Sequence, residues 1–466
     1  MDVKEKRVLV VGLGKSGVAS AQFLQKHGAR VSVSDAKSPE QLRQEIPVLL
    51  DAGVSVETGQ HSERTFREQD LIIVSPGVPF DMPQLTRARE RGVPIIGEVE
   101  LAYRFLSGHI VAVTGSNGKT TTTTLAGDII AASGRDTLVG GNIGTPAISF
   151  VGAAGDQTWI VLEISSFQLE SIVEFRPKIA VVLNVTPDHL DRHYTFENYV
   201  AAKARIFENQ AADDAAVLNA DDATCVAMAA SVKSRLRWFS RAREVERGAF
   251  IRGQEIIWRD GPREQPILPV SDISLKGAHN LENVLAAVCI GMLVKADPVA
   301  TRRAVEEFRA VEHRLEYVGT VRGVEYYNDS KATNVDATIK ALESFPGRVH
   351  LILGGKDKGS DYSVLNELIA QRVKRIYTIG AAAGKIESQV RGAEVIPSQT
   401  LAKAVQRASQ TATAGEVVLL APACASFDQF DSYEHRGRVF KELVHALAAR
   451  EQQRESVATP GGGNNR

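Results

Sequence analysis

The sequence predicts an α/β protein with three domains, each built on a parallel β-sheet. Three times along the chain a β-branched apolar run is followed by a glycine-rich turn and then by a helical pattern, which is typical of layered α/β folds. The chain has 466 residues, and roughly 150 residues per domain is the usual scale for a chain of this kind. The near-continuous apolar character of the predicted strands agrees with burial on both faces of a sheet.

The first predicted domain begins with a strand at 7–11, a glycine-rich turn and a helix at 18–27. The turn reads Gly12-x-Gly14-x-x-Gly17, and Asp35 follows the next predicted strand, 30–34. This spacing fits the dinucleotide fingerprint, so an NAD-dependent enzyme is one hypothesis. The same glycines would let another diphosphate, such as that of a UDP-sugar, approach the helix N-terminus. A tight turn that only packs helix on strand is the third alternative.

The second predicted domain opens with the strongest local signal of the chain. A predicted strand at 110–113 leads through Gly115-x-x-Gly118-Lys119-Thr120 into a predicted helix at 121–133. Backbone N–H groups of such a loop can cradle phosphates, while the lysine neutralises the β- and γ-phosphates and the threonine reaches Mg²⁺. The sequence therefore predicts ATP binding by Gly115, Ser116, Asn117, Gly118, Lys119, Thr120 and Thr121. The spacing is tighter than in the general phosphate-loop pattern, which argues against ordinary P-loop motors and GTPases.

Glu163 closes a predicted strand at 159–162 in the same domain. A carboxylate at the carboxyl end of a parallel strand, beside a phosphate loop, is well placed to hold Mg²⁺. The alternative is an acidic N-cap for the following helix. The neighbouring Lys119 and Thr120 favour the metal role.

The third predicted domain begins at a strand, 349–353, followed by Gly354-Gly355-Lys356-Asp357-Lys358-Gly359. We place the domain boundaries near Gly97 and Glu312, which gives domains at 1–97, 98–312 and 313–454. From about 455 onward the chain turns to Ser, Thr, Pro, Asn and three consecutive glycines. Such a composition buries too little apolar area to offset the ordering entropy, so 455–466 is predicted to be a disordered tail.

Composition excludes several functional classes. Lys plus Arg (55) nearly cancels Asp plus Glu (56), so no overall field draws the chain to nucleic acid or to an anionic membrane. Cys225, Cys289 and Cys424 offer neither a disulfide framework nor zinc spacing. The first apolar stretch is too short for a signal peptide or a membrane span. We expect a cytoplasmic protein with no nucleic-acid or membrane partner, and a monomer.

Six segments together resemble the Mur ligases, in order and over essentially the whole chain. They are Thr114-Gly-Ser-Asn-Gly-Lys-Thr-Thr121, Gly141-Asn-Ile-Gly144, Glu163-Ile-Ser-Ser-Phe-Gln-Leu-Glu170, Asn184-Val-Thr-Pro-Asp-His-Leu-Asp-Arg192, Asn328-Asp-Ser-Lys-Ala-Thr-Asn334 and Pro422-Ala-Cys-Ala-Ser-Phe-Asp-Gln-Phe430. The last two look like those of the D-glutamate-adding member. Sister enzymes and folylpolyglutamate synthases carry other sequences there.

The resemblance implies an N-terminal Rossmann-like domain for a UDP-sugar, a central P-loop ATPase-like domain and a C-terminal Rossmann-like domain for an amino acid. It implies an ADP-forming ligase of peptidoglycan biosynthesis that adds D-glutamate to UDP-N-acetylmuramoyl-L-alanine. ATP would phosphorylate the substrate carboxylate, and a tetrahedral intermediate would then collapse to amide and phosphate. The cofactors implied are ATP and Mg²⁺. We expect two Mg²⁺ ions.

The family's binding residues are assigned to this chain residue by residue. The UDP-sugar contacts implied are Gly14, Lys15, Ser16, Asp35, Lys37, Ser75, Gly77, Asn142 and His189. Further ATP contacts implied are Asn280, Asn283, Arg314 and Asp329. The amino-acid contacts implied are Lys331, Thr333, Lys358, Ser426 and Tyr433. The family's frequent Thr-Arg is Ala36-Lys37 here, so a point charge replaces a bidentate guanidinium.

Lys203 lies in a predicted helix, 198–210, where the family carries a carbamylated lysine near a second Mg²⁺. An ammonium would repel the metal, whereas a carbamate reverses the charge and supplies oxygen ligands. The alternative is a solvated surface lysine. The resemblance implies metal ligation by Thr120, Glu163, His189 and carbamylated Lys203, and catalytic roles for Lys119, Glu163, His189 and Lys203.

Other functions stay open at this point. A sister Mur ligase would use a different nucleotide substrate or amino acid. An NAD-dependent oxidoreductase would use the first glycine-rich turn, but it would leave the phosphate loop, Glu163 and the third domain without a purpose. A regulatory ATP-binding module would leave the metal and amino-acid residues idle.

Overall fold

A computed structural model describes residues 1–275, 277–309 and 312–458 of the chain. The chain divides into two compact units. The first comprises Met1–Pro187, Arg192–Ser274 and Glu282–Phe308, and the second comprises Asp188–Asp191, Leu275–Leu281 and the chain from Arg309 onward. Two β-sheets lie in the first unit and one in the second.

The first sheet has five parallel strands in the order β3-β2-β1-β4-β5. The strands are β1 (Arg7–Val11), β2 (Arg30–Asp35), β3 (Ser55–Thr58), β4 (Leu71–Val74) and β5 (Ile95–Gly97). The helices are α1 (Lys15–Lys26), α2 (Glu45–Asp51), α3 (Glu63–Arg67), α4 (Pro83–Glu90) and α5 (Glu98–Tyr103). The strand order reverses between β1 and β4, and the carboxyl ends of such a pair form the crevice in which open α/β sheets bind ligands.

The central sheet has nine strands in the order β14-β13-β12-β11-β10-β9-β6-β8-β7. The strands are β6 (His109–Thr114), β7 (Thr137–Gly141), β8 (Trp159–Glu163), β9 (Ile179–Val182), β10 (Ala215–Asn219), β11 (Arg235–Ser240), β12 (Arg247–Arg252), β13 (Glu255–Asp260) and β14 (Arg263–Pro269). Pairing is parallel from β7 to β12 and antiparallel from β12 to β14. The helices are α6 (Lys119–Ala132), α7 (Ser166–Leu169), α8 (Leu190–His193), α9 (Phe196–Ala204), α10 (Ala223–Met228), α11 (Ala278–Leu293) and α12 (Pro298–Glu307).

The third sheet has six strands in the order β15-β16-β20-β17-β18-β19, with β15 antiparallel to β16 and the rest parallel. The strands are β15 (Glu316–Val321), β16 (Val324–Asn328), β17 (Val349–Gly354), β18 (Val373–Ile379), β19 (Glu394–Gln399) and β20 (Val417–Leu420). The helices are α13 (Val335–Glu343), α14 (Asn366–Arg372), α15 (Ala383–Gln389), α16 (Leu401–Thr411) and α17 (Tyr433–Ala458). A separate apolar core lies against each face of this sheet, as expected for parallel strands covered by helices.

The first two sheets share one apolar core, which extends from Val3 through the central strands to Met228. Helix α5 adds two buried carboxylates between them. Glu100 accepts backbone N–H groups of residues 173–175 at 2.8 to 3.0 Å, and Glu98 accepts the N–H of Ile148 at 2.7 Å. Hydrogen bonds to a charged acceptor are among the stronger ones in proteins. The two sheets are therefore joined by polar as well as apolar contacts.

The fold class predicted from the sequence is confirmed, since the chain forms three predominantly parallel sheets with helices between the strands. The predicted domain limits at 97 and 312 stay predictions. Helix α17 continues to Ala458, and the predicted disordered tail at 455–466 likewise stays a prediction. The remainder of that tail, 459–466, lies outside the described residues.

Candidate active site

The phosphate loop joins β6 to α6 in the first unit. Gly118 has φ 85°, a left-handed conformation that favours glycine. A Cβ atom at this position would also collide with the side-chain carbonyl of Asn283, which places that predicted ATP contact against the loop. A loop of this shape leads into the N-terminus of a 14-residue helix, where backbone N–H groups and the helix dipole favour a phosphate.

Lys119 folds back over this loop. Its Nζ donates to the carbonyl oxygens of Gly115 and Ser116, each at 2.9 Å. The side chain is half-buried, so the ammonium lies where a phosphate held by the loop would meet it. This position agrees with the predicted charge-neutralising role.

The carboxyl ends of three neighbouring strands meet at Glu163. Thr120 Oγ1, beyond β6, donates to Glu163 Oε2 at 2.7 Å. Asn142 Nδ2, beyond β7, donates to Glu163 Oε1 at 3.1 Å. The Glu163 side chain is almost fully buried, with 2% of its surface exposed. A carboxylate and a hydroxyl oxygen are the donors that Mg²⁺ prefers, so these residues fit a magnesium ion, and the predicted metal pair Thr120 and Glu163 is brought together.

Lys203 is not a surface lysine. Only 1% of the residue is exposed, its Nζ donates to the carbonyl of Gly115 at 2.9 Å, and the amine lies 4.5 Å from the centre of the Tyr199 ring. The alternative of a solvated side chain is thereby excluded. The amine reaches the phosphate loop, which agrees with a role at the reaction centre, whereas the carbamate stays a prediction.

The segment after β9 shapes the phosphate loop from the other side, which sequence reasoning missed. Asn184 Oδ1 accepts the N–H of Asn117 at 2.9 Å, and its Nδ2 donates to the Asn117 carbonyl at 3.1 Å. Ser116 Oγ donates to the Thr186 carbonyl at 2.9 Å. Asn184 begins one of the six segments that resemble the Mur ligases. It lies far from the loop along the chain, so no local sequence pattern predicts their contact.

The predicted UDP-sugar residues of the first sheet also lie together. Asp35 accepts the backbone N–H of Leu13 at 2.7 Å and that of Lys37 at 2.8 Å. Ser75 Oγ donates to the Gly12 carbonyl at 2.7 Å. These bonds fix the turn before α1 and the loop after β4 side by side at the switch of strand order, with Gly14, Lys15, Lys37 and Gly77 exposed and Ser16 half-buried.

The predicted amino-acid residues belong to the second unit. Lys331 Nζ lies 5.3 Å from the centre of the Tyr433 ring, and Ser426 is buried in the segment after β20. Asp329, a predicted ATP contact, is buried, and burial raises its pKa to about 6 even though the charges of Arg314 and Lys331 favour the ionised form. Thr333 and Lys358 are half-buried in the same unit.

Arg436 organises this region and was missed by sequence reasoning. It is fully buried, and its guanidinium donates to Ser330 Oγ at 2.9 Å and to the carbonyls of Ser330, Cys424 and Ala425 at 2.8, 3.1 and 3.3 Å. Burial lowers its pKa to about 10. Arg436 therefore fastens the segment after β16 to the segment after β20, and these two segments carry three of the five predicted amino-acid residues, Lys331, Thr333 and Ser426.

Four predicted site residues fall in the second unit whereas their expected partners lie in the first. These residues are His189, Asn280, Arg314 and Asp329. His189 has φ 54° and its Nε2 lies 3.6 Å from the carboxylate of Asp188. The predicted grouping of His189 with Glu163 and Lys203 therefore stays a prediction.

Family models match most of the chain. The Mur ligase MurD-like N-terminal domain matches residues 6–97, the Mur ligase middle domain matches residues 113–291 and the Mur ligase glutamate ligase domain matches residues 313–424. A protein of Koribacter versatilis (strain Ellin345) named UDP-N-acetylmuramoylalanine--D-glutamate ligase is 66% identical over 453 residues, which cover 97% of this chain and 100% of the relative. A protein of Geotalea daltonii with the same name is 47% identical and covers 96% of this chain and 99% of its own.

Solved structures share the fold. A pseudomurein peptide ligase type C from Methanothermus fervidus aligns with a TM-score of 0.61 at 18% identity, covering 95% of this chain and 100% of its own. UDP-N-acetylmuramate-alanine ligase from Thermotoga maritima aligns with a TM-score of 0.59 at 19% identity, covering 95% and 99%. In the part of the chain that the structure describes, no helix combines the length and apolar character needed to cross a membrane.

Proposed function

This chain belongs to the Mur ligase family, and on that premise we propose that it joins D-glutamate to UDP-N-acetylmuramoyl-L-alanine at the expense of ATP, in peptidoglycan biosynthesis. The observation that carries the choice of substrates is the 66% identity to a ligase of that name over 97% of this chain. That span includes the segments at 328–334 and 422–430, where the sequence also resembles the D-glutamate-adding member. The geometry of the phosphate loop supports the ATP-dependent step.

The reaction needs a good leaving group, because a carboxylate is a poor acyl donor. An oxygen of the substrate carboxylate attacks the γ-phosphorus of ATP, and ADP leaves. The amine nitrogen of D-glutamate then attacks the acyl carbon and loses a proton, and the tetrahedral intermediate expels phosphate to leave the amide. For such phosphoryl transfer the protein supplies mainly positioning and charge neutralisation.

Lys119 and the backbone of the phosphate loop bind and orient the phosphates in this proposal. Mg²⁺, when bound, neutralises charge that develops on the transferred phosphoryl group. Thr120 and Glu163 would hold one ion, and His189 together with Lys203, if carbamylated, would hold a second. The burial of Glu163 and Lys203 supports these roles, since electrostatic interactions are stronger where water is excluded.

Each remaining set of residues takes one substrate. Gly14, Lys15, Ser16, Asp35, Lys37, Ser75, Gly77, Asn142 and His189 would contact the UDP-sugar. Lys331, Thr333, Lys358, Ser426 and Tyr433 would contact D-glutamate, which needs cations and hydroxyl donors for its two carboxylates. Asn280, Asn283, Arg314 and Asp329 would complete the ATP site.

We further propose domains at 1–97, 98–312 and 313–454, a monomeric state and a cytoplasmic location.

The test is phosphate release by the purified protein with Mg-ATP and UDP-N-acetylmuramoyl-L-alanine. D-Glutamate is compared with L-glutamate, D-alanine, diamino acids and no amino acid. Release and amide product with D-glutamate alone are expected. Release with another amino acid would move the chain to a sister ligase, and no release with any would refute the proposed activity. Tight NADH binding, seen as shifted fluorescence, would instead support an oxidoreductase.

A further inference from the structure

A short segment at the end of α8, residues 192–194, makes two side-chain hydrogen bonds to the loop after β4 of the first sheet. Arg192 Nη2 donates to the carbonyl of Val78 at 2.9 Å. Tyr194 OH donates to Asp81 Oδ2 at 2.7 Å. Val78 directly follows the residues of this loop that we assign to the UDP-sugar. The loop is thereby tied to the central sheet.

The guanidinium of Arg192 is itself held firmly. Its Nη2 also donates to Glu170 Oε2 at 2.8 Å, and it lies 4.8 Å from the centre of the Phe167 ring. The side chain is 15% exposed, so water competes little for these contacts. Glu170 and Phe167 belong to the stretch that follows Glu163, so Arg192 spans from the UDP-sugar loop to the metal-binding strand end.

The carboxylate that receives Arg192 is fixed from its other side. Glu170 Oε1 lies 3.3 Å from His193 Nδ1, and His193 Nε2 lies 2.9 Å from Ser166 Oγ. Ser166 is the first residue of α7. Arg192, Glu170, His193 and Ser166 thus form one polar chain that ends three residues after Glu163. Networks of this kind restrict each member to one geometry.

The backbone at Tyr194 is strained, and this conformation places the Tyr194 side chain for its hydrogen bond to Asp81. Tyr194 has φ 66°, which is uncommon for a residue with a side chain, and such conformations persist only where the surroundings hold them. Asn198 Nδ2 donates to the His193 carbonyl at 3.0 Å, and Thr195 N donates to the same oxygen at 2.8 Å. These bonds fix the turn that directs the Tyr194 hydroxyl to Asp81.

From these contacts we infer that Arg192 is a positioning residue for the nucleotide substrate, which holds the loop at 75–78 at a fixed distance from Glu163. The inference rests on the proposed function. A nucleotide substrate that contacts the loop at 75–78 with its UDP-sugar end must place its carboxylate at the phosphate loop. Misplacement by about 1 Å can cost on the order of 10²-fold in rate. Loss of Arg192 should therefore weaken use of the nucleotide substrate far more than use of ATP or D-glutamate.

The test compares Arg192→Lys and Arg192→Gln with the unchanged protein in steady-state assays of all three substrates. We expect KM for UDP-N-acetylmuramoyl-L-alanine to rise about tenfold or more, equivalent to about 1.4 kcal/mol, with KM for ATP within about twofold. Tyr194→Phe, which removes only the bond to Asp81, should shift the same constant less. Equal rises for ATP and the nucleotide substrate, or unchanged constants in both Arg192 variants, would overturn the inference.

Arg205→Lys is the matched control. Arg205 donates to the carbonyls of Leu169, Glu170 and Ile172 at 2.8, 2.6 and 2.8 Å, so it stabilises the same stretch without a hydrogen bond to the loop at 75–78. This variant should lose stability without a selective rise in KM for the nucleotide substrate, and such a selective rise would count against the inference.

Amide hydrogen exchange separates this inference from the proposed function, because it needs no substrate. Within residues 75–81 the hydrogen-bonded amides of Ser75 and Val78 should exchange faster in Arg192→Gln than in the unchanged protein, while residues 7–11 of β1 keep their protection. If the protein used none of the substrates but this difference appeared, the proposed activity would fail and the structural role of Arg192 would stand. If exchange at 75–81 were unchanged, the inference would fail whatever the activity. Should Arg192→Gln not fold, Arg192→Lys and Tyr194→Phe provide the same comparison.

Discussion

The hydroxyl of Thr120 and the carboxylate of Glu163 are hydrogen-bonded at 2.7 Å although 43 positions separate them in the chain. The contact arises because β6 and β8 are parallel neighbours in the central sheet, so that their carboxyl ends open on the same edge. Asn142 brings the end of β7 to the same carboxylate. Three strand ends therefore bring a hydroxyl, a carboxylate and an amide to one point, directly beside the phosphate loop.

Glu163→Gln should abolish most of the activity while leaving the fold intact. Glutamine has the same shape and can keep a hydrogen bond to Thr120 or Asn142, but it lacks the charge that a divalent cation requires. We expect kcat to fall by about 10²–10³-fold, the range for loss of one preorganised electrostatic contact. Phosphate release at rising Mg²⁺ concentrations measures this, with Glu208→Gln as a surface control. If kcat of Glu163→Gln equalled that of the unchanged protein, Glu163 would not be a ligand of the metal ion.

Lys203→Ala should be inactive and should regain part of its activity in high bicarbonate or short-chain carboxylic acids. The substitution leaves space where a buried side chain stood, and a small carboxylate in that space would replace the carbamate oxygens. Lys203→Met is the control, because its apolar side chain fills the space and should prevent rescue. Loss of activity without any rescue of Lys203→Ala would argue against the carbamate.

Local patterns were enough to predict at least one central strand of each sheet and the phosphate loop. The predicted strand at 110–113 is β6, His109–Thr114, and the predicted helix at 121–133 is α6, Lys119–Ala132. Both follow from short-range signals, namely a β-branched apolar run and a glycine-rich turn. The predicted helix at 198–210 is broken instead, since α9 ends at Ala204 and a 3₁₀ turn follows from Arg205. Arg205 there donates to the carbonyls of Leu169 and Glu170, a long-range contact that no local pattern contains.

Burial of polar groups was the part of the site that the sequence alone could not predict. Nothing around Lys203 or Arg436 distinguishes these residues from exposed cations of a helix, yet both are almost fully buried. Their burial depends on carbonyl oxygens far away in sequence, such as that of Gly115 for Lys203. Resemblance indicated Lys203, whereas Arg436 had no such signal. The antiparallel extension formed by β12, β13 and β14 was likewise not anticipated.

Glu98→Gln should change how stability depends on pH. Burial raises the pKa of Glu98 from 4.5 to about 7, so the folded protein binds this proton more tightly than the unfolded chain. The stability that the protonated group contributes is fully present below pH 4.5 and is lost as the pH rises through about 7. Glutamine carries no charge at either end of this window. We therefore compare the Tm of Glu98→Gln with that of the unchanged protein at each pH. The difference, variant minus unchanged protein, should be more positive by a few degrees at pH 8 than at pH 5.

Thermal unfolding at the two pH values, followed by circular dichroism, provides this comparison. Glu90→Gln, at an exposed position in α4, is the control and should show no such difference. If the difference in Tm between Glu98→Gln and the unchanged protein were the same at both pH values, or less positive at pH 8, Glu98 would not titrate in this range.

Arg436→Met should destabilise the second unit and impair use of D-glutamate. The buried carbonyls of Ser330 and Cys424 would lose their donor, at about 1–3 kcal/mol per unsatisfied group, whereas the Ala425 carbonyl keeps the N–H of Lys356. The two segments they belong to carry Lys331, Thr333 and Ser426, so KM for D-glutamate should rise while KM for the nucleotide substrate changes little. Arg438→Met is a matched control, because Arg438 lies two residues on in the same helix and is exposed. Urea unfolding and steady-state assays measure the two effects. Wild-type stability in Arg436→Met, or an equal loss in Arg438→Met, would contradict the role assigned to the buried guanidinium.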